Sequence, residues 1–418
     1  MPVRRPLWLC VALLGLLACD PQRALTPEPP REDPLGAAQQ AIASSAWDDA
    51  IAQAQLAINA DIAVEEAQAI LDKAKAEKQA YSLIQQADAL LALEQYDKAF
   101  YKVSLVPKDS VYSVRASNIS IIIRQALVLP PRLRRGGDVE MVRFVIGTFK
   151  QGSSEADLRF ALSLCEESGG DCERKWFTRE APQRTVTLAS YYIDTHAVTN
   201  RHFNACVAAA ACTPPDWDEC GLTPELRQDF TAADQPQVCV TWQQAADYCA
   251  WSGARLPTEA EWERAARGER GRRFPWGNTF HSHAANWSDG DGTIDGYRHP
   301  APVKAYPPCA HGLYQMAGNV YEWTQDWWDE RAYRDTPNRD PRGPKEGTNK
   351  VIRGGAYNRA PVDLRAAHRN RMPPTMADKA VGWRCALSAT DIFPFVHQPL
   401  APEPVHPTPD SAAPSPSP

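Results

Sequence analysis

The chain has 418 residues, 44% hydrophobic and 23% charged, with 45 Lys+Arg against 51 Asp+Glu for a formal net charge of −6. That is a globular balance with room for more than one domain. A slightly acidic chain without a basic stripe lacks the electrostatic footprint of a nucleic-acid binder, so no nucleic-acid partner is expected.

At the N-terminus Arg4 and Arg5 precede an apolar run from Leu7 to Leu17 that is too short to span a bilayer comfortably, which predicts a signal peptide over 1–18. The next step, Leu16-Leu17-Ala18-Cys19, resembles a bacterial lipobox, which implies lipidation of Cys19, a membrane partner through that anchor, and residence at the cell envelope. The alternative is a soluble secreted protein cleaved near Ala18. Residues 19–36, rich in Pro and charge, are expected to form a tether. Cysteine usage agrees with export: of eleven, Cys10 leaves with the signal and Cys19 is the anchor, and the rest have no CxxC spacing, which favours disulfides over a zinc cluster.

Residues 37–112 hold Ala, Gln, Glu and Leu at helical spacing, with no Gly and no Pro before Pro107, and predict a helical domain. Within it Ala46-Trp47-Asp48-Asp49-Ala50-Ile51 is echoed 49 residues later by Gln95-Tyr96-Asp97-Lys98-Ala99-Phe100. An aromatic, an Asp and an Ala at shared offsets suggest helical-hairpin repeats resembling tetratricopeptide units; a plain bundle is the alternative. Residues 113–137 are expected to connect two domains, with Ile119-Ser120-Ile121-Ile122-Ile123 buried and Pro130 to Gly137 carrying linker chemistry.

From 138 to 389 the sequence changes to short strand-like runs with many Gly, Pro and Trp, and helices are predicted near 200–209, at 243–251 and at 259–267. Thr258 followed by Glu261 is a capping box at the start of the last of these. Residues 390–418, with nine prolines from Pro394 onward, are expected to be a disordered tail.

Five blocks in order carry a resemblance: Gly253-Ala254-Arg255-Leu256-Pro257-Thr258-Glu259-Ala260-Glu261-Trp262-Glu263; Phe274-Pro275-Trp276-Gly277-Asn278; Gly312-Leu313-Tyr314-Gln315-Met316-Ala317-Gly318-Asn319-Val320-Tyr321-Glu322-Trp323; Arg353-Gly354-Gly355; and Gly382-Trp383-Arg384-Cys385. Together they resemble the sulfatase-modifying factor, or formylglycine-generating enzyme, family over about 250 residues. The resemblance implies an α+β fold, a C-type-lectin-like domain of low regular secondary structure, here preceded by the all-α segment. Trp262, Trp276, Trp323 and Trp383 read as core fillers whose indole N–H groups need partners.

The resemblance also implies structural calcium in two places. The first would use Asn286, the Trp287 carbonyl, Asp295 and the Tyr297 carbonyl; the second would use Gln315, Gly318, Val320 and Glu322, with Gln315 where the family usually has Asn or Asp. The run from Asp289 is no EF-hand, since Ile294 stands at its sixth position and Pro300 at its twelfth. A long-range disulfide between Cys249 and Cys385 is implied as well. Proximity along the chain suggests Cys165 with Cys172, Cys206 with Cys212 and Cys220 with Cys239, leaving Cys309 unpaired.

Enzymes of this family oxidise a substrate cysteine with copper held by two thiolates, and those cysteines follow the Arg-Gly-Gly strand by a few residues. Here that stretch, Ala356-Tyr357-Asn358-Arg359-Ala360-Pro361-Val362-Asp363-Leu364-Arg365, has no cysteine, and no other appears before Cys385. Soft cuprous ion needs soft sulfur, so copper is not expected. Nor does 37–112 offer any His for the iron site that another branch builds in an added helical domain. Five arginines and one Asp fall between Arg353 and Arg371, and an arginine fork suits carboxylate, sulfate or phosphate. The reading is therefore a non-catalytic module that binds an anionic, peptide or protein ligand near Asn358, Arg359 and His368. Ordinary arginine–acid pairs are the structural alternative, and a formylglycine-generating oxidoreductase acting on sulfatases is the functional one.

Overall fold

The computed structural model describes residues 33–135, 139–170, 172–288 and 294–392. The expected signal peptide, Cys19 and most of the tether lie outside them. The chain divides into two units, with the boundary after Ser82.

The first unit holds helices α1 (Pro34–Ala43) and α2 (Trp47–Asn59) and the first part of α3 (Val64–Ala92). Asp33 caps α1, its side chain accepting from the Leu35 amide at 3.2 Å, and Pro34 supplies a fixed φ at the first helical position. The last three residues of the expected tether are thus helical. Ala38, Ala54 and Leu71 form one buried layer and Ala41, Ala50 and Ala74 a second. Spacings of three or four residues put each helix's members on one face.

The second unit continues with the end of α3, α4 (Tyr96–Ser104) and α5 (Ser113–Val128). The echoed segments share their local structure. Ser45 and Glu94 each close the preceding helix at positive φ (60° and 55°). The following amides then bond back, Ala46 to Ala41 O and Gln95 to Leu90 O, both at 2.9 Å. Each aromatic therefore begins a helix after a Schellman turn, and Ala50 and Ala99 are fully buried.

The expected connector at 113–137 is corrected. Its first half is the 16-residue α5, with Ile119 and Ile123 buried. Its second half holds strand β1 (Arg132–Arg135), paired antiparallel with β2 (Val139–Phe144). Pro and Gly mark the ends of this stretch, but Arg135 is drawn into the fold by a buried fork on Asp194, at 2.8 and 2.6 Å. The domain thus starts before residue 138.

Beyond β2 come β3 (Gly147–Gln151), α6 (Glu155–Glu167), β4 (Arg184–Leu188), β5 (Tyr191–Asp194), α7 (Asn200–Ala208), α8 (Pro224–Arg227), α9 (Trp242–Trp251) and α10 (Glu259–Arg267). They are followed by β6 (Tyr321–Trp327), α11 (Ala332–Asp335), β7 (Lys350–Arg353), β8 (Arg369–Met372), β9 (Val381–Gly382), β10 (Ala386–Ser388) and the helical turn α12 (Ala389–Ile392). Residues 390–392 of the expected tail belong to this turn, and residues 393–418 lie outside the described ones. Two four-stranded sheets, ordered β1-β2-β5-β10 and β8-β7-β6-β9, and the β3-β4 pair are separated by long loops, which is the expected α+β class.

α10 has every residue buried, and its capping box is present: the Glu261 amide donates to Thr258 Oγ1 at 3.1 Å and the Thr258 amide to Glu261 Oε2 at 2.8 Å. Burying three glutamates requires counterions. Arg369 forks Glu259 at 2.6 and 2.9 Å, Arg255 forks Glu261 at 2.7 and 2.6 Å, and Arg267 holds Glu263 at 2.8 Å. Of the four tryptophans, Trp262 donates to Glu322, Trp276 to Thr279 O and Trp323 to Val240 O. The Trp383 indole N–H has no partner among the described residues, its ring instead meeting Phe203 and Tyr248 edge-on.

Among the described residues four disulfides join Cys165 to Cys172, Cys206 to Cys212, Cys220 to Cys239 and Cys249 to Cys385, and Cys309 is unpaired, as expected from the sequence.

Candidate functional site

The Arg-Gly-Gly run ends β7 and turns the chain at Gly354 and Gly355, both at positive φ. A Cβ on Gly355 would stand 2.9 Å from the Asp363 carbonyl, so glycine is what lets the strand exit pass under the loop that follows. That loop is fixed by the Tyr357 amide on Asn319 O (2.8 Å) and by Arg359 O accepting from the Ser288 amide (2.9 Å). It leaves Asn358 and Arg359 exposed while Leu364, in the stretch that lacks cysteine, is fully buried.

The five arginines part company here. Arg353 and Arg369 neutralise Glu259 and Glu263, and Arg365 forks Glu180 at 2.7 Å through both amino groups. Arg371 lies 3.8 Å from Glu330 at the surface. Among the described residues only Arg359 of the five has no carboxylate partner; its guanidinium sits 5.9 Å from the Tyr321 ring centroid. Ordinary pairing thus accounts for four of the five.

Tyr321 is the group that the sequence reading missed, having been quoted in a family block without a role. It is 2% exposed, and its hydroxyl accepts from Asn370 Nδ2 at 3.4 Å. Burial pushes its phenol up, Asp363 adds to this, and the Asn370 bond, Arg359 and Arg179 oppose it. Arg179, whose buried Nε has no partner among the described residues, also escaped notice, since nothing in its local sequence separates it from a surface arginine. A phenol, an amide and two guanidiniums meet here with Asp363 beside them, and the guanidiniums are the groups that suit a carboxylate, sulfate or phosphate.

His368 does not join them as an anion ligand. It is 2% exposed, 3.7 Å from Glu180 and 3.5 Å from Asp363, and two carboxylates repel an anion. It lies beside the Glu180 pair: burial would raise that carboxyl, but the Arg365 charge and hydrogen bonds, with the His368 charge, hold it well below the usual range.

Of the first expected calcium set, Asp295 meets Trp287 and Tyr297 through their amides, accepting from them at 2.7 Å and 2.9 Å. Asn286 donates to His299 O and Asn319 Oδ1, leaving its own buried Oδ1 without a partner among the described residues. A buried amide oxygen left without a donor suits a hard cation. The second set does not fit one. Glu322 is 1% exposed and both its oxygens are taken by the Arg384 fork (2.7 and 2.8 Å) and by the Trp262 indole (2.6 Å), which leaves no uncompensated charge. Gln315 accepts from Asn319 Nδ2 at 2.7 Å and donates to Pro302 O at 3.0 Å. Gly318, with the Val320 segment behind it, is a packing position, since a Cβ there would strike the Asn286 carbonyl.

Residues 130–389 match the family described as sulfatase-modifying factor enzyme 1-like domain. The chain belongs to that family. It is 36% identical over 262 residues to the formylglycine-generating enzyme of Streptomyces coelicolor, covering 50% of this chain and 82% of that one. To the mouse inactive C-alpha-formylglycine-generating enzyme 2 it is 31% identical over 309 residues, covering 62% of this chain and 90% of that one. It is also 38% identical over 223 residues, 50% of its length, to the Chlamydia trachomatis serine/threonine-protein kinase Pkn1, of which it spans only 34%. Among solved structures, PvdO from Pseudomonas aeruginosa superposes with a TM-score of 0.49 at 26% identity, covering 62% of this chain and 99% of that one.

Proposed function

We propose that this protein is an exported lipoprotein, held at the cell envelope through Cys19, whose family domain binds an anionic, peptide or protein ligand and does not carry out the cysteine oxidation implied by the resemblance. The observation that carries this reading is at the loop after Gly355: no cysteine is present to supply a thiolate, and Arg359 stands exposed above Tyr321 without a counter-carboxylate among the described residues. Two hard, cationic guanidiniums offer nothing to a cuprous ion and much to an oxyanion. The similarity to a mouse relative named as inactive supports the same reading. Asn286 with Asp295 and the Trp287 and Tyr297 carbonyls would hold a structural calcium ion, which would supply charge to fix their loop.

The test has two arms. Purified protein is titrated with cuprous ion and incubated with a cysteine-containing sulfatase peptide; the expected result is no stoichiometric copper and no aldehyde, and formation of formylglycine would establish the oxidoreductase instead. Ligands captured by the full chain from envelope extract are then measured against Arg359→Ala. Affinity is expected to fall about tenfold on loss of one charge-assisted contact; unchanged affinity for every captured ligand would refute the role given to the loop.

A further inference from the structure

A second basic region lies in the same unit and shares no lining residue with the Arg359 loop. The C-terminal end of α3, the start of α4 and one face of α5 form one wall of a cavity of about 1260 Å³, and the β2–β3 turn, β4 and the segment after α10 form the other. Six arginines line it against three acidic residues, in a chain whose overall charge is negative. Asp88 is already bound by Arg115 at 2.7 Å, and Glu269 meets Arg264 at 3.4 Å. Arg143 is spent on carbonyls, donating to Ala126 O at 2.7 Å and to Leu129 O. Arg270 and Arg272 have no carboxylate partner among the described residues; Arg272 makes only a 3.3 Å bond to Pro275 O. At the base Phe144 packs 5.1 Å from His311, whose Nε2 has no partner among the described residues.

We propose that this cavity binds a small polyanion carrying phosphate or sulfate ester groups, with Arg270 and Arg272 as its principal ligands. A concave site with one sign of charge and low-dielectric walls concentrates counter-ions, and guanidiniums pair with such oxyanions in a planar fork. A volume above the roughly 300–1,000 Å³ of ordinary ligand pockets suits a ligand with more than one anionic group. The wall from Asp88 to Ala126 precedes the family-matched residues, so the site combines the helical segment with the family domain. It is independent of the function proposed for the Arg359 loop.

The full chain is titrated calorimetrically with tripolyphosphate and, separately, with a heparin disaccharide at low and physiological salt. Saturable one-site binding by either probe, weakening with salt, is expected, and the tighter probe distinguishes phosphate from sulfate chemistry. Arg270→Gln with Arg272→Gln should weaken it at least about tenfold, the loss of two charge-assisted hydrogen bonds. Glu94→Gln, which removes an acid from the rim, should strengthen it, an effect that misfolding does not mimic. Arg359→Ala should leave it unchanged. Absence of saturable binding by both probes, wild-type affinity in the double variant, or weakening by Glu94→Gln or by Arg359→Ala would overturn the assignment.

Discussion

Asp326→Asn is expected to stabilise the protein at alkaline pH and to have little effect in acid. Asp326 sits in β6 at 4% exposure, its Oδ2 accepting from the Glu259 amide at 2.7 Å, where α10 begins. Burial, with the charges of Glu259 and Glu261 added, outweighs that bond and Arg369, and its carboxyl is pushed up to about 7 from an ordinary 3.8. Between those two pH values the folded protein holds a proton that the unfolded chain has lost. The stability contribution is therefore complete below about 4 and is lost as pH rises through about 7. A difference of about three units at 1.4 kcal/mol each sets an upper limit of about 4 kcal/mol. Lys350, pushed down to about 8 by burial and supported by the Asp326 charge, loses that support in the variant, so a gain of about 1–3 kcal/mol at pH 8 is the working figure. Denaturant unfolding of both proteins at pH 5 and pH 8 measures it. The difference between proteins is the readout, because His202, pushed down to about 4 by burial, tilts the wild-type curve in the opposite sense. An equal loss of stability at both pH values would show that the amide merely disrupts the helix start, and the reasoning would fail.

Replacing Cys249 and Cys385 by Ala should cost about 5 kcal/mol on the chain-entropy model, because the bridge spans 136 residues, whereas replacing Cys206 and Cys212, six apart, should cost about 2; equal denaturation midpoints for the two variants would contradict this. Glu322→Gln leaves Arg384 buried without its counter-charge and should destabilise by about 3–5 kcal/mol, while Arg359→Ala should change stability by no more than about 0.5. Chelation of calcium should lower the thermal midpoint of the wild type and not that of Asn286→Ala; a wild type indifferent to chelator removes the first calcium set.

What could be read along the chain was whatever a few neighbouring residues decide. The Thr258–Glu261 box needs only one helical turn, so the start of α10 could be placed from the sequence. Cysteines six to nineteen residues apart have few competitors, and the three short bridges followed. The loss of both thiolates is a matter of composition and needs no coordinates. By contrast, 113–137 was expected to have a buried isoleucine run, and it does, but Pro130 to Gly137 read as linker because the Arg135–Asp194 pair that draws β1 into the fold joins residues 59 apart in sequence.

The same division explains the site. Sequence supplied five arginines in nineteen positions and the family blocks that locate them, but an arginine's role depends on which carboxylate reaches it. For Arg365 that partner is Glu180, 185 residues earlier, and for Arg369 it is Glu259, 110 residues earlier. Only folding brings such charges together, and it leaves Arg359 as the one of the five without a carboxylate partner among the described residues.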